Sequence, residues 1–108
     1  MSGVVDKGDE DDRVFKALAS PARRRMLDAL KESAHTTGSL CAALADLDRT
    51  TVLQHLRVLE GAGLVTGRRV GRERHLALAP MPIKRIYERW ISDYMRAAVD
   101  LLDRLDAD

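Results

Sequence analysis

Residues 49–78 read RTTVLQHLRVLEGAGLVTGRRVGRERHLAL, and the period of their apolar positions changes once, near the middle. In the first half Val52, Leu56 and Leu59 recur at i, i+4 and i+7, the spacing of one face of an α-helix. Asp48 stands just ahead as an acceptor for the unpaired N–H groups of a first turn, and Gly61 and Gly63 close the segment. The spacing therefore predicts a helix from Arg49 to about Gly61. Beyond it, residues 64–70 and 73–78 read as two short strands joined by a tight turn at Gly71-Arg72.

Working upstream, Leu40, Cys41 and Leu44 mark a short helix that Thr36 is placed to cap. Ser20-Pro21 opens another, running to about Glu32 with Met26, Leu27 and Leu30 on its apolar face. Val14, Phe15 and Leu18 mark the first helix, with periodicity from Asp11 onward. Downstream, Pro80 and Pro82 bracket the exit from the hairpin. A long amphipathic helix follows over residues 83–105, with Ile83, Ile86, Tyr87, Trp90, Tyr94, Ala98, Leu101 and Leu105 spaced by three or four. The expected fold is mainly α with a small β-hairpin, in the order α-α-α-α-β-β-α. It divides into an acidic, disordered leader (1–12), a winged helix–turn–helix domain (13–79) and a C-terminal dimerisation helix (80–108).

Composition narrows the function. The 108 residues carry a net charge of +1 and contain one cysteine, so an intrachain disulfide is impossible and a reducing, cytoplasmic setting is expected. There is no apolar run long enough to span a bilayer, and the acidic start lacks the pattern of a signal peptide. Membrane association is not expected. No nucleophile–base pair, catalytic carboxylate pair or phosphate-cradling glycine loop is evident, so the chain does not read as an enzyme. The charge is unevenly spread. Asp6, Asp9, Glu10, Asp11 and Asp12 against Lys7 make the leader acidic, whereas the remainder is basic.

Two short helices joined by about four residues form the unit whose second helix enters a DNA major groove. The hairpin after them concentrates Arg68, Arg69, Arg72 and Arg74 around Gly71, with only Glu73 between them. A phosphate backbone supplies the anion such a cluster needs. On the recognition helix, Arg49, Thr50, Thr51, Gln54, His55 and Arg57 are the polar groups the core does not require. Gln54 suits adenine, and Arg49 suits guanine or phosphate. Thr51 is expected at the helix start or on phosphate, and His55 in either a structural hydrogen bond or a DNA contact.

Phe15-Lys16-Ala17-Leu18-Ala19-Ser20-Pro21-Ala22-Arg23-Arg24-Arg25-Met26-Leu27 resembles the opening of the ArsR family of bacterial transcription regulators. Leu40-Cys41-Ala42-Ala43-Leu44, the run Thr51 through Val65, and Gly71-Arg72 ahead of Leu76 and Leu78 match the rest of its core and wing. The resemblance implies a homodimeric repressor on a roughly palindromic double-stranded operator, with the first and last helices forming the subunit interface. Val14, Phe15, Leu18, Trp90, Tyr94, Ala98, Leu101 and Leu105 are the interface residues expected here. Leu53 stands where the family commonly has serine, so that residue's phosphate contact does not carry over.

Many members of the family release DNA on binding metal. The Cys-x-Cys pair of their third helix falls on Thr36 and Gly38, the last helix has no histidine, and His35, His55 and His75 lie on three separate elements. Residues 80–86 and Arg89-Trp90-Ile91 look similar to a non-metal subgroup. No metal and no cofactor are expected, and a small-molecule effector is left unidentified. Two alternatives stay open: a winged-helix module for a protein partner, and a metal-responsive repressor with a non-standard site.

Overall fold

The structure, a computed structural model, describes residues 7–107. Its elements are α1 (Lys7–Leu18), α2 (Pro21–Glu32), β1 (His35–Thr36), α3 (Thr37–Ala43), α4 (Arg49–Gly61), β2 (Val65–Val70), β3 (Glu73–Leu78) and α5 (Met81–Ile86). A π-helical turn (Tyr87–Ile91) then leads directly into α6 (Ser92–Asp106).

Each helix start before the hairpin, from α2 on, carries the cap its sequence advertises. Ser20 Oγ accepts the Arg23 N–H at 3.3 Å, and Asp48 Oδ1 accepts that of Thr51 at 2.7 Å. At α3 the bonding is reciprocal: Thr36 Oγ1 accepts from the Ser39 N–H at 3.1 Å while Ser39 Oγ accepts from the Thr36 N–H at 2.9 Å. The other end of α1 is closed by arginines. Arg23 donates to the carbonyls of Lys16 and Ala17, each at 2.8 Å, and Arg24 to that of Leu18 at 2.7 Å. These satisfy carbonyls that a helix C-terminus leaves without an intrahelical partner.

The core gathers Val14 and Ala17 of α1, Met26, Leu27 and Leu30 of α2, Leu40 of α3, and Val52, Leu56 and Leu59 of α4. Leu44, Leu64, Val65, Leu76 and Ile86 complete it. The sheet is antiparallel in the order β1-β3-β2, with Arg69 opposite Arg74 and Val70 opposite Glu73. Gly71 takes a φ of 63° in the two-residue turn while Arg72 does not take positive φ. That is the requirement of the hairpin turn with glycine first, which matches the twist of the strands.

Several expectations need adjustment. β1 was unforeseen: residues 35–36 read as a connection but pair with β3, His35 opposite Leu76 and Thr36 opposite His75. The first helix begins at Lys7, inside the stretch expected to be disordered; residues 1–6 of that leader lie outside the described residues. Val14, expected at a subunit interface, is 2% exposed within its own protomer and belongs to the core, one helical turn from Ala17. Leu18 is half-buried against the same core.

The last helix is also not uniform. The Ser92 N–H bonds to the Tyr87 carbonyl, five residues back. Ile86 and Ile91, five apart, both pack against the core. A regular α-helix brings i and i+4 to one face, so the extra residue of a π turn keeps Ile91 inside. No residue of α6 is buried.

Candidate nucleic-acid interface

Helix α4 presents three different sides. Val52, Leu56 and Leu59 enter the core. Thr50, Gln54 and Arg57, at i, i+4 and i+7, are all exposed and share the face pointing away from it. Alongside that outward face, which contributes Arg57, the residues Arg49, Leu53 and Glu60 border a groove of ≈ 550 Å³ whose opposite wall is the hairpin, through Arg69, Arg72, Glu73 and Arg74. The start of α3, Thr36 to Gly38, closes one end. Two arginines of the helix and three of the wing thus converge on one cleft, though they lie up to 25 positions apart in the chain.

The other wing arginines have different surroundings. Strand alternation sends Arg68 to the opposite face of the ribbon, with Thr66, Val70 and His75. Arg74 is paired with Glu60, its guanidinium lying across Gly67 where any Cβ would collide with it. Glycine at position 67 therefore permits the close approach that ties the wing to α4. Of the four arginines expected on DNA, Arg69 and Arg72 face the groove without an ion pair among the described residues, Arg74 braces the wing, and Arg68 looks away.

Two further expected contacts are already engaged. The Thr51 backbone is bonded to Asp48, and its side chain is half-buried. His55, also half-buried, accepts at Nδ1 from Arg23 Nη1 at 3.1 Å. Arg49 is exposed and lies 3.9 Å from the half-buried Cys41 Sγ. Sequence reasoning missed Arg23 as the partner of His55 and Glu60 as the partner of Arg74, since nothing in either segment announces a partner so far along the chain.

The turn between α3 and α4 is fixed electrostatically. Arg25 holds Asp46 in a two-pronged ion pair at 2.8 and 2.9 Å. The hydrogen bonds from Arg25 hold the Asp46 carboxyl below the usual carboxylate range. The Thr51 backbone N–H does the same for Asp48.

At Thr36 and Gly38 the donor set does not fit a thiolate site. Thr36 offers a hydroxyl already used as a helix cap, and Gly38 offers no side chain. His35 opposes Leu76, so it lies on the other face of the sheet from His75. Among the described residues no three His, Cys, Asp or Glu side chains gather as a metal site would require.

Farther from the groove, Phe15, Trp90 and Tyr94 form an aromatic cluster with ring centroids 5.6 and 5.0 Å apart. An Arg89–Asp11 ion pair at 3.1 Å ties the π turn to α1. Tyr94, Ala98, Leu101 and Leu105 continue from this cluster as an exposed stripe along α6. No helix among the described residues is long and apolar enough to cross a membrane.

Three stacked helices with the last in the exposed position, followed by an arginine-bearing wing, define a winged helix–turn–helix protein. A family model described as a helix-turn-helix domain matches residues 18–68. The HTH-type transcriptional regulator YuzN of Bacillus subtilis, itself uncharacterised, is 38% identical over 86 residues, 74% of this chain and 94% of that one. A protein of Synechocystis named as a transcriptional repressor SmtB homolog is 32% identical over 92 residues, 85% of this chain and 68% of its own. Among solved structures, a homodimeric winged helix-turn-helix DNA-binding domain from Mycobacterium bovis, described as a possible ArsR-family transcriptional regulator, superposes with a TM-score of 0.65. It is 27% identical and covers 96% of this chain and 95% of its own. The chain belongs to the ArsR/SmtB family of winged helix–turn–helix transcriptional regulators, and these are DNA-binding regulators rather than enzymes.

Proposed function

We propose that this chain acts in the cytoplasm as a homodimeric repressor that binds a roughly palindromic double-stranded operator without a metal trigger. The observation that carries this reading is the convergence of Arg49, Arg57, Arg69 and Arg72 on one groove between recognition helix and wing. These four guanidiniums face only Glu73 and a Glu60 already paired with Arg74, so the cleft keeps an excess of positive charge that a curved phosphate backbone would balance. Thr50 and Gln54, exposed on the outward face of α4, are then the groups that meet base edges, with Gln54 suited to adenine.

The dimer reading rests on the last helix. Trp90, Tyr94, Leu101 and Leu105 are each more than half exposed in the single chain. An apolar stripe of this size is costly to leave in water. Phe15 on α1 adjoins it, so the expected interface keeps Phe15, the half-buried Leu18, Trp90, Tyr94, Ala98, Leu101 and Leu105 and loses Val14. The similar Mycobacterium bovis structure is described as homodimeric, which supports a dimer. The absence of a metal trigger is argued from the donor chemistry at Thr36 and Gly38.

Selection of DNA from a random library, followed by sequencing, tests the reading. Enriched sites are expected to show two inverted half-sites with centres about 34–36 Å apart, one helical turn, or a multiple of it. Failure to enrich any sequence would reject operator recognition in favour of a protein-binding role.

A further inference from the structure

We propose that Arg23 and His55 are positioning residues that hold the recognition helix at a fixed angle to α1; this rests on the DNA-binding reading above. A guanidinium has donors only, so in the 3.1 Å contact between Arg23 Nη1 and His55 Nδ1 the imidazole must accept. Its proton then sits on Nε2. The same guanidinium donates through Nε to the Ala17 carbonyl and through Nη2 to that of Lys16, both at 2.8 Å. One planar group therefore joins the last turn of α1 to the middle of α4, and three donations from a rigid fork fix orientation as well as distance.

The link has a place in the larger frame. Helix α1 carries Phe15, whose ring meets Trp90 edge-on, and Asp11, which pairs with Arg89. The proposed subunit face is thereby connected, through α1 and Arg23, to the helix that enters the groove. In a dimer this link sets how far apart, and at what mutual angle, the two recognition helices stand. His55 acts through Arg23 and does not touch DNA. The half-buried side it occupies, away from Thr50, Gln54 and Arg57, agrees with that role.

The experiment compares wild type with His55→Leu and His55→Asn, because the asparagine oxygen lies near where Nδ1 stood and still accepts. Operator affinity is measured over a salt series and on operators whose half-site spacing is lengthened or shortened by one base pair. His55→Leu is expected to lose about tenfold in affinity for the natural spacing, the scale of a hydrogen bond to a charged group. Its salt slope stays that of wild type, its discrimination between spacings narrows, and His55→Asn restores both affinity and discrimination. Should His55→Leu not melt cooperatively, His55→Asn against His55→Gln decides the matter, since the longer amide places its oxygen near Nε2 instead. A shallower salt slope in His55→Leu would make His55 a phosphate contact and overturn the assignment, as would Asn performing no better than Leu or Gln. If wild-type protein itself shows no salt-dependent DNA binding, the DNA reading fails and this assignment fails with it.

Discussion

Neighbouring residues on α4 are given different work by the side of the helix they occupy: His55 is engaged with Arg23, whereas Gln54 is exposed. Gln54 faces outward and is proposed to read bases, whereas Arg72 at the tip of the wing is proposed to meet only the phosphate backbone. Gln54→Ala should therefore change base preference, seen as altered relative affinities across a set of single-base operator variants. Arg72→Ala should weaken binding to every sequence alike. The reverse pattern would exchange the roles assigned to helix and wing.

The carboxylates at the start of α4 make a prediction about acid. Asp46 and Asp48 both titrate lower in the folded chain than in the unfolded one, through bonds from Arg25 and the Thr51 N–H. The stability they lend is complete above the ordinary Asp value of about 3.9 and is lost as pH falls through their depressed folded values. Asp48→Asn keeps the cap but removes the titration, so its melting temperature should fall less steeply with acid than that of wild type. Parallel melting curves against pH would contradict this.

At the scale of elements, the helices through α4 and the hairpin were legible because each has a cap, a clear period, or both. Ser20, Thr36 and Asp48 all do what their positions suggest. β1 was not legible, since two residues cannot display a period and only pairing with β3 makes them a strand. The wing arginines were legible as a cluster but not as individuals: alternation separates Arg68 from Arg69, while the Arg74–Glu60 pair exists only once the hairpin folds back on α4. The π turn was hidden because its i, i+5 spacing belongs to neither helix nor strand patterns.

That turn predicts an asymmetry between deletions. Removing Glu88 from the π turn brings Ile86 and Ile91 to i, i+4, which a regular α-helix also places on one face. The rest of α6 then stays in phase, and the dimer should survive. Removing Ala97, inside regular α-helix, rotates everything beyond it by about 100° and splits the apolar stripe. Sedimentation should show a dimer for the first deletion and a weakened one for the second; equal behaviour would deny the π turn this compensating role.

For the whole molecule, the dimensions point to an unfinished surface. The Cα radius of gyration is 17.5 Å, against roughly 13 Å for a compact domain of this length. The molecule extends to 62 Å, with α6 contributing no buried side chain. Because Leu101 packs against nothing in its own core, Leu101→Glu should leave the protomer folded and yield a monomer at concentrations where wild type is a dimer. Retention of the dimer mass would place the interface elsewhere.

In the proposed complex, DNA phosphates fill the groove between α4 and the wing. Fluorescence anisotropy of operator binding over a salt series, for wild type and Arg69→Ala, tests it most directly. Log K should fall linearly with log salt, and the variant's slope should be shallower by about two, one phosphate lost per subunit at ~0.9 each. An unchanged slope in the variant, or wild-type binding indifferent to salt, would contradict the account.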